Sequence, residues 1–235
     1  MRLQRALARA GVASRRGAEE LIRGGCVTVN GVEATIGTKV DWSMDVVSVR
    51  GRRVAPVAQA SIVLHKPVGT VVTRRDPQGR ATVFELVPPI PGLTYAGRLD
   101  VLTSGLLLLS TDGDLVHRLT HPRFGVKRTY RARVHGRSAD AIRKDLAHPI
   151  VIDGRAVELA SYRVTCRRPN SVDIVVVVRE GRNRIVRRVC EKLGVKVDEL
   201  VRLSHGPVHL GRLAVGEWRY LTRRETAALG VKRTA

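Results

Sequence analysis

The chain has 235 residues, of which 43% are hydrophobic and only 3% aromatic, so a core can form but must be mainly aliphatic. Lysine and arginine number 42 against 21 aspartate and glutamate, a formal net charge of +21. Such a surface repels itself unless it meets a polyanion, which indicates nucleic acid first and a membrane surface second. No apolar run reaches 18 residues, which excludes a membrane-spanning helix. The three cysteines are far apart, which predicts neither a disulfide framework nor a metal site and is typical of a reducing cytoplasm.

The first residues predict two short helices. Apolar residues at helical spacing indicate a helix over 2–10, and Ser14 is a suitable N-cap for a second helix over 15–23. The arginine-rich N-terminus could pass for a transit peptide, but this helical pattern favours folded structure. The arginines on the two helices are Arg5, Arg9, Arg15, Arg16 and Arg23.

Short strands follow the helices. The stretch "CVTVNGVEA" predicts a hairpin that turns at Asn30-Gly31, and "DVVSVRGRRV" predicts one more strand pair. The loose stretch "APVAQA" reads as a linker. The sequence therefore predicts a small basic domain over 1–58 and a second domain over 59–235.

The second domain alternates hairpins and helices without regular strand-helix-strand units. Strands are predicted at "SIVLHKP", "TVVT", "LTYAG", "GLLLLS", "KRTYRARVHG", "DELVRLS" and "EWRYLT", and "VDIVVVV" predicts a strand buried on both faces. Helices are predicted at "DLVHRLT", "SADAIRKDLA" and "NRIVRRVCEKLG", and a capping box at Thr222 and Glu225 begins the last one. The pattern predicts an α+β fold with a mixed, largely antiparallel sheet.

The stretch "AGRLDVLTSGLLLLSTDGDL" places Arg98 and Asp100 beside a wholly apolar strand. An aspartate in a loop is most often a turn residue or an N-cap. Here the neighbouring arginine, the buried strand and the basic surface favour an ionised carboxylate at the edge of the core, which can act as a nucleophile.

Two further side chains fit such a site. Arg187 lies on the polar face of the helix "NRIVRRVCEKLG", with Arg184 and Arg188. Most arginines on that face are expected to be solvated or to bind phosphate, but one could form a bidentate ion pair with a carboxylate. Tyr130 stands among arginines on an alternating strand, where it is either a core residue or a ring that stacks on a base.

Other chemistries lack their motifs. No glycine-rich loop follows a strand and opens a helix, which argues against an ATPase and a methyltransferase of the dinucleotide-binding type. No His-x-Glu motif accompanies paired cysteines, which argues against a zinc deaminase. The scattered histidines predict no metal site.

Several motifs in order resemble one enzyme family. "GRLDVLTSGLLLLSTDG", "LHKPVG", "TRRDPQGRATVFE" and "EGRNRIVRRVCEKLG" are similar to motifs of the pseudouridine synthases that modify ribosomal RNA. "LQRALARAGVASRRGAEELIRGGCVTVNG" resembles the small RNA-binding domain first seen in ribosomal protein S-four. The resemblance covers nearly the whole chain and is greater to the large-subunit branch than to the small-subunit branch.

The resemblance implies a function and roles for particular residues. The enzyme would isomerise a uridine of 23S ribosomal RNA, free or in an assembly intermediate, without a cofactor or a metal. Asp100 would be the nucleophile, Tyr130 would stack on the flipped uracil, and Arg187 would pair with Asp100. Substrate-binding positions would be Arg98, Leu200, Arg184, Arg188 and Lys66, and RNA-binding positions of the N-terminal domain would be Arg5, Arg15, Arg16 and Arg23. Nothing in the sequence demands more than a cytoplasmic monomer.

Two alternatives stay open on the sequence. One is the same chemistry on 16S ribosomal RNA, and the other is a non-catalytic RNA-binding factor for ribosome assembly. The presence of Asp100, Tyr130 and Arg187 together favours the enzyme, because a chain that had lost catalysis would have been free to lose one of them.

Overall fold

Separate apolar cores divide the chain into a small N-terminal unit and a larger second unit. The computed structural model describes residues 1–168 and 170–230. The predicted second domain extends to 235, so its residues 169 and 231–235 lie outside the described part. No helix in the described part is long and apolar enough to cross a membrane.

Six helices and fifteen strands follow one another in the described residues. The helices are α1 Leu3–Arg9, α2 Arg15–Arg23, α3 Gly113–Thr120, α4 Ala139–Leu146, α5 Ile185–Lys192 and α6 Arg223–Ala228. The strands are β1 Val27–Val29, β2 Val32–Glu33, β3 Val47–Val49, β4 Arg52–Val54, β5 Ser61–Lys66, β6 Thr94–Tyr95, β7 Ser104–Ser110, β8 Arg128–His135, β9 Val151–Ile152, β10 Arg155–Ala156, β11 Leu159–Arg168, β12 Ser171–Val178, β13 Lys196–His205, β14 Val208–His209 and β15 Trp218–Tyr220.

Local sequence explains the N-terminal unit. The Ser14 hydroxyl accepts a hydrogen bond from the Gly17 amide (3.1 Å), which caps α2 as its position predicts. Asn30 and Gly31 both have positive φ, the geometry that a two-residue hairpin turn requires. The strands form one sheet in the order β2-β1-β3-β4, which packs against the buried faces of both helices.

The second unit is built on one nine-stranded sheet. Its order is β11-β12-β8-β13-β7-β5-β15, with β14 paired to β13 and β6 paired to β7. Its strand pairs are antiparallel apart from that between β13 and β7. The predicted α+β class and the largely antiparallel sheet are confirmed.

Strand β7 forms the centre of this unit, and every one of its residues is buried. Leu107 and Leu109 pack in a cluster with the segment between β5 and β6, whereas Leu106 and Leu108 pack in a cluster with α3. The four consecutive leucines are therefore divided between two cores, and the loop that precedes β7 is anchored to both.

Two predicted strands differ from the structure. Residues 70–73 ("TVVT") form no strand and make only an isolated bridge from Val71 to Thr82. The apolar character of the segment serves the core instead, since Val72 is buried in the cluster that contains Leu107 and Leu109. Strand β12 is buried on one face only, since Val175 and Val177 remain half-exposed on the other. Valine favours the strand conformation, so its unbroken run is compatible with a strand that has one half-exposed face.

The two units meet through ion pairs. Arg9 Nη2 lies 3.0 Å from Asp112 Oδ1, and Arg5 pairs with Asp114. Residues 55–60 form neither helix nor strand and connect the units. We propose that they are the boundary between two domains, because few polar contacts cross it and each side has its own core.

Deleting residues 1–58 tests this boundary. We expect the remaining chain to unfold in one cooperative thermal transition, because the three apolar clusters of the second unit are formed by its own residues alone. RNA binding should weaken and depend less steeply on salt, because basic side chains are removed. Circular dichroism melts and binding titrations at several salt concentrations measure both, and a truncated chain without a cooperative transition would contradict the boundary.

Candidate active site

A row of polar side chains crosses the apolar centre of the large sheet. In the strand register, Lys66 on β5 is opposite Gly105 on β7, Gly105 is opposite Arg202 on β13, and Arg202 is opposite Tyr130 on β8. Residues paired in this way project from the same face of a sheet. Lys66, Arg202 and Tyr130 therefore face one side together, separated by a glycine without a side chain.

Gly105 allows β7 and β13 to approach closely. Its φ is +109°, and a Cβ placed there would lie 2.4 Å from the Arg202 carbonyl oxygen and 2.5 Å from its nitrogen. Contacts that short are sterically forbidden, so the position requires glycine. Arg202 is 1% exposed and donates from Nε to the Leu106 carbonyl oxygen (2.7 Å), which joins the two strands a second time.

The loop that carries Asp100 runs from the end of β6 to the start of β7. Three consecutive carbonyl oxygens of this loop accept hydrogen bonds from elsewhere in the chain: Val101 from the Gly69 amide (2.9 Å), Leu102 from Arg187 Nη2 (2.7 Å) and Thr103 from Lys66 Nζ (2.9 Å). The Thr103 amide in turn donates to the Asp100 carbonyl oxygen (3.0 Å). The backbone around Asp100 is thus held by hydrogen bonds at three successive residues, and its side chain is half-buried.

Two cations share the electrostatic environment of Asp100. Lys66 has no exposed surface, and burial lowers its pKa to about 8 although the negative charge of Asp100 opposes the shift. Burial also lowers the pKa of Arg187, and the charge of Asp100 again opposes this.

The predicted ion pair between Arg187 and Asp100 is not formed in this structure. Arg187 Nη2 binds the Leu102 carbonyl oxygen instead, and the described ion pairs within 4.0 Å include none between these two side chains. Arg187 Nε is buried and has no hydrogen-bond partner among the described residues. The arginine therefore positions the loop with one nitrogen and leaves another available.

Tyr130 lies where two apolar clusters meet. Its ring is half-buried. It packs against the cluster beneath α4 and α5 and against the cluster that contains Leu107 and Leu109. Leu200 is opposite Ala132, on the same sheet face as Tyr130 and two residues further along β8, and is 3% exposed. The structure therefore brings Asp100, Lys66, Arg187 and Tyr130 to one region, with Leu200 in the adjoining core.

The other arginines predicted to bind substrate are placed differently. Arg98 is exposed on the Asp100 loop. Arg184 precedes α5 with φ +50° and lies 3.5 Å from Glu191. Arg188 Nη1 donates to Asp153 Oδ2 (2.8 Å), so its charge is already paired with the turn between β9 and β10.

The predicted RNA-binding arginines of the N-terminal unit fall into an exposed group and one that pairs with the second unit. Arg15 and Arg16 are exposed at the start of α2, and Arg23 is exposed near Glu19 (3.9 Å). Arg5 instead pairs with Asp114 of the second unit, because α1 faces that unit. Arg15 and Arg16 thus remain the arginines of this set without an ion pair to the described residues.

Sequence reasoning missed Arg202 and Gly105. Arg202 Nη2 is buried without a hydrogen-bond partner among the described residues, so it adds a second available guanidinium nitrogen beside Tyr130. The available signal was an arginine within the apolar strand "ELVRLS". It could have indicated a buried cation, but only the strand register shows what it faces.

A large cavity lies away from this region. It has a volume of about 1190 Å³ and is formed between α1 and the loop before β6, with Arg9, Phe84 and Asp114 among its lining residues. Asp100, Tyr130 and Arg187 do not line it. The buried cations and the held loop, rather than cavity size, mark the candidate site.

Comparison with known proteins identifies the family. The family model described as RNA pseudouridylate synthase matches residues 60–192, and the model of the S4 domain matches residues 1–47. The chain is 38% identical over 232 residues to ribosomal large subunit pseudouridine synthase B of Vibrio vulnificus, covering 95% of this chain and 72% of that protein. The chain belongs to the RNA pseudouridine synthase family.

Two further similarities extend over almost the whole length of both chains. This synthase is 37% identical over 232 residues to an uncharacterized RNA pseudouridine synthase of Aquifex aeolicus, covering 97% of this chain and 93% of that protein. A solved pseudouridylate synthase matches 97% of this chain and 99% of its own, with a TM-score of 0.64 and 27% sequence identity. The predicted enzyme class, an isomerase with an S4 domain, is confirmed.

The charge of Lys66 gives the synthase a testable pH dependence. Because its pKa is about 8, raising the pH through 8 removes a positive charge beside Asp100, and we expect kcat/KM to fall there. In the unfolded chain a lysine has a pKa of about 10.4. Between pH 8 and pH 10.4 the unfolded state therefore binds more protons than the folded state, and the free energy of unfolding rises with pH. Activity and stability should therefore change in opposite directions.

Pseudouridine formation and urea unfolding across pH 6.5–10 measure the two quantities. Lys66→Met, checked for folding by circular dichroism, should be slower and should lack the alkaline step near pH 8. An alkaline step that is unchanged in Lys66→Met would assign it to another group.

Proposed function

We propose that this synthase isomerises a uridine of 23S ribosomal RNA to pseudouridine with Asp100 as the nucleophile. The observation that carries the proposal is the half-buried Asp100 on a loop whose next three carbonyl oxygens are each held by a hydrogen bond from another part of the chain. The large-subunit assignment rests on relatives named ribosomal large subunit pseudouridine synthase B, at 38% identity.

In the proposed reaction, an Asp100 carboxylate oxygen attacks the anomeric carbon of the flipped-out nucleotide. A carbon–oxygen bond forms, the glycosidic carbon–nitrogen bond breaks, and its electron pair leaves with the uracil. The uracil rotates, its carbon five forms a bond to the anomeric carbon, and Asp100 departs as a carboxylate. Carbon five then loses its proton and the ring nitrogen gains one, so the overall step is an isomerisation. Attack on the base itself is the alternative route.

The side chains around Asp100 suit the charge changes of this route. Tyr130 would stack on the uracil and help to remove the proton from carbon five. Negative charge passes from Asp100 to the departing uracil, and the unpartnered nitrogens Arg187 Nε and Arg202 Nη2 are donors that could stabilise it. Such donors are most effective where water is excluded, and both are buried.

The proposed substrate also accounts for the rest of the molecule. A net charge of +21 favours a polyanion, and Arg15 and Arg16 at the start of α2 would contact its phosphates. Arg98, exposed on the Asp100 loop, would hold the flipped nucleotide or its neighbours. The enzyme would act as a cytoplasmic monomer on free ribosomal RNA or on an assembly intermediate.

Pseudouridine mapping tests the proposal directly. Ribosomal RNA from cells with and without the gene is treated with carbodiimide and read by primer extension. We expect one signal in 23S RNA to disappear without the gene and to return with the wild-type protein but not with Asp100→Ala. A lost signal in 16S RNA would keep the chemistry and reject the large-subunit substrate, whereas no lost signal in either RNA would reject a ribosomal substrate.

A further inference from the structure

Exposed aromatic and basic side chains cluster where α3 ends. This cluster, here named the α3 platform, consists of His117, His121, Arg123 and Phe124. The ring of Phe124 lies 5.7 Å from that of His117 and 6.2 Å from that of His121, measured between centroids, and the Arg123 guanidinium carbon lies 4.5 Å from the Phe124 centroid. Phe124 is 40% exposed, whereas Phe84, the other phenylalanine of the chain, is half-buried against a core cluster.

The surroundings of the α3 platform favour an anion. Residues 115–139 contain seven lysines and arginines and no aspartate or glutamate. The nearest carboxylate on α3, Asp114, is already paired with Arg5 and Arg9. Arg131, Arg133 and Arg137 pair with carboxylates from other segments, and Arg128 is buried. Arg123 and Lys127 are exposed and form no ion pair with the described residues, so a phosphate next to the α3 platform would meet positive charge that no carboxylate offsets.

The α3 platform is fixed next to the active-site loop. A Cβ built on Gly97, three residues before Asp100, would lie 3.7 Å from Thr120 Cγ2, so the last turn of α3 contacts the start of that loop. The Leu119 carbonyl oxygen accepts hydrogen bonds from Arg128 Nη2 (2.7 Å) and His205 Nε2 (3.0 Å). These bonds attach the end of α3 to β8 and β13, the strands that carry Tyr130 and Arg202.

We propose that the α3 platform stacks an unpaired base of the substrate RNA close to the nucleotide that enters the active site. This inference rests on the proposed function only in placing the reacting nucleotide at Asp100. An exposed ring among cations fits a nucleobase with its phosphate, because every base offers a π-face and the phosphate meets the positive charge. Bases inside a duplex are already stacked, so the occupant is a single-stranded segment.

Binding to two simple probes tests the stacking. The probes are a single-stranded RNA of 12 nucleotides containing 2-aminopurine and a 12-base-pair RNA duplex. Phe124→Ala and Phe124→Leu should weaken binding of the single strand by at least about fivefold, whereas Phe124→Trp should keep it, because stacking needs a ring. Duplex binding should be unchanged, and 2-aminopurine fluorescence should rise when the ring is lost.

Tyr162 is a matched control. It is also 40% exposed, but it lies on the edge strand β11. Tyr162→Ala should bind both probes within about twofold of the wild type if loss of exposed aromatic area alone has no effect. Equal weakening by Tyr162→Ala and Phe124→Ala, or wild-type binding by both Phe124→Ala and Phe124→Leu, would overturn the proposal. Circular dichroism of each variant separates loss of binding from loss of fold, and Phe124→Leu retains the apolar volume.

Kinetics distinguish this inference from the proposed function. With 23S ribosomal RNA from cells that lack the gene, Phe124→Leu should raise KM by at least about fivefold and leave kcat nearly unchanged, because the lost contact binds ground state and transition state alike. If the wild type modifies the RNA and Phe124→Leu leaves KM unchanged, the α3 platform is wrong. If the wild type binds the single strand through Phe124 but modifies no ribosomal RNA, the proposed function fails while the stacking stands.

Discussion

Asp100→Asn is expected to abolish pseudouridine formation while the fold and RNA binding remain intact. Asparagine has nearly the same shape, but its neutral amide cannot attack the anomeric carbon. Removing a nucleophile from a working site lowers kcat by at least about a thousandfold. The loop should keep its position, because its hydrogen bonds run to the backbone of residues 101–103 and not to the Asp100 side chain.

Asp153→Asn is the matched control for this substitution. Asp153 is also in a turn, with φ +53°, a conformation that asparagine tolerates, and it pairs with Arg188. We expect this variant to retain activity within a few-fold. Single-turnover assays and RNA titrations at one salt concentration compare the two variants. Turnover by Asp100→Asn above a few per cent of the wild-type rate would show that another group is the nucleophile.

Gly105→Ala is expected to destabilise the synthase by about 3 kcal/mol or more and to reduce its activity sharply. The new Cβ would lie 2.4 Å from the Arg202 carbonyl oxygen, which is backbone and has no rotamer to change. Strands β7 and β13 would have to separate, and the start of β7 holds the Asp100 loop. The loss of packing and the loss of catalysis therefore have one cause.

Gly113→Ala provides the control for the loss of glycine. Gly113 begins α3, and a Cβ there would have no heavy atom within 4 Å. Alanine at an unstrained helical position should change the free energy of unfolding by no more than about 1 kcal/mol, and in the stabilising direction. Urea unfolding and pseudouridine assays compare both variants. Wild-type stability of Gly105→Ala would contradict the close approach of the two strands.

The sequence by itself determined the features that depend on near neighbours along the chain. Ser14 and Gly17 are three residues apart, as are Thr222 and Glu225, so the caps of α2 and α6 could be predicted within a residue. The four leucines of β7 could be predicted as a buried strand because consecutive apolar residues place apolar side chains on both faces of a strand. The motif around Asp100 likewise indicated the family and the region of the site, because its residues are consecutive.

Only the tertiary structure decided which groups meet. Arg187 binds the carbonyl oxygen of Leu102, 85 residues away, and Arg202 binds that of Leu106, 96 residues away. The Arg202 contact depends on the register between β7 and β13, and the Arg187 contact depends on the packing of α5 beside the Asp100 loop. Each contact joins segments that are distant in the chain. Local patterns predict that an arginine is charged and which helix face it occupies, but its partner depends on tertiary packing. In the structure Arg187 binds the Leu102 carbonyl oxygen and not the predicted Asp100. The requirement for glycine at 105 was also not predictable from the sequence. It arises from the backbone of Arg202 on the neighbouring strand, which a Cβ at this position would meet.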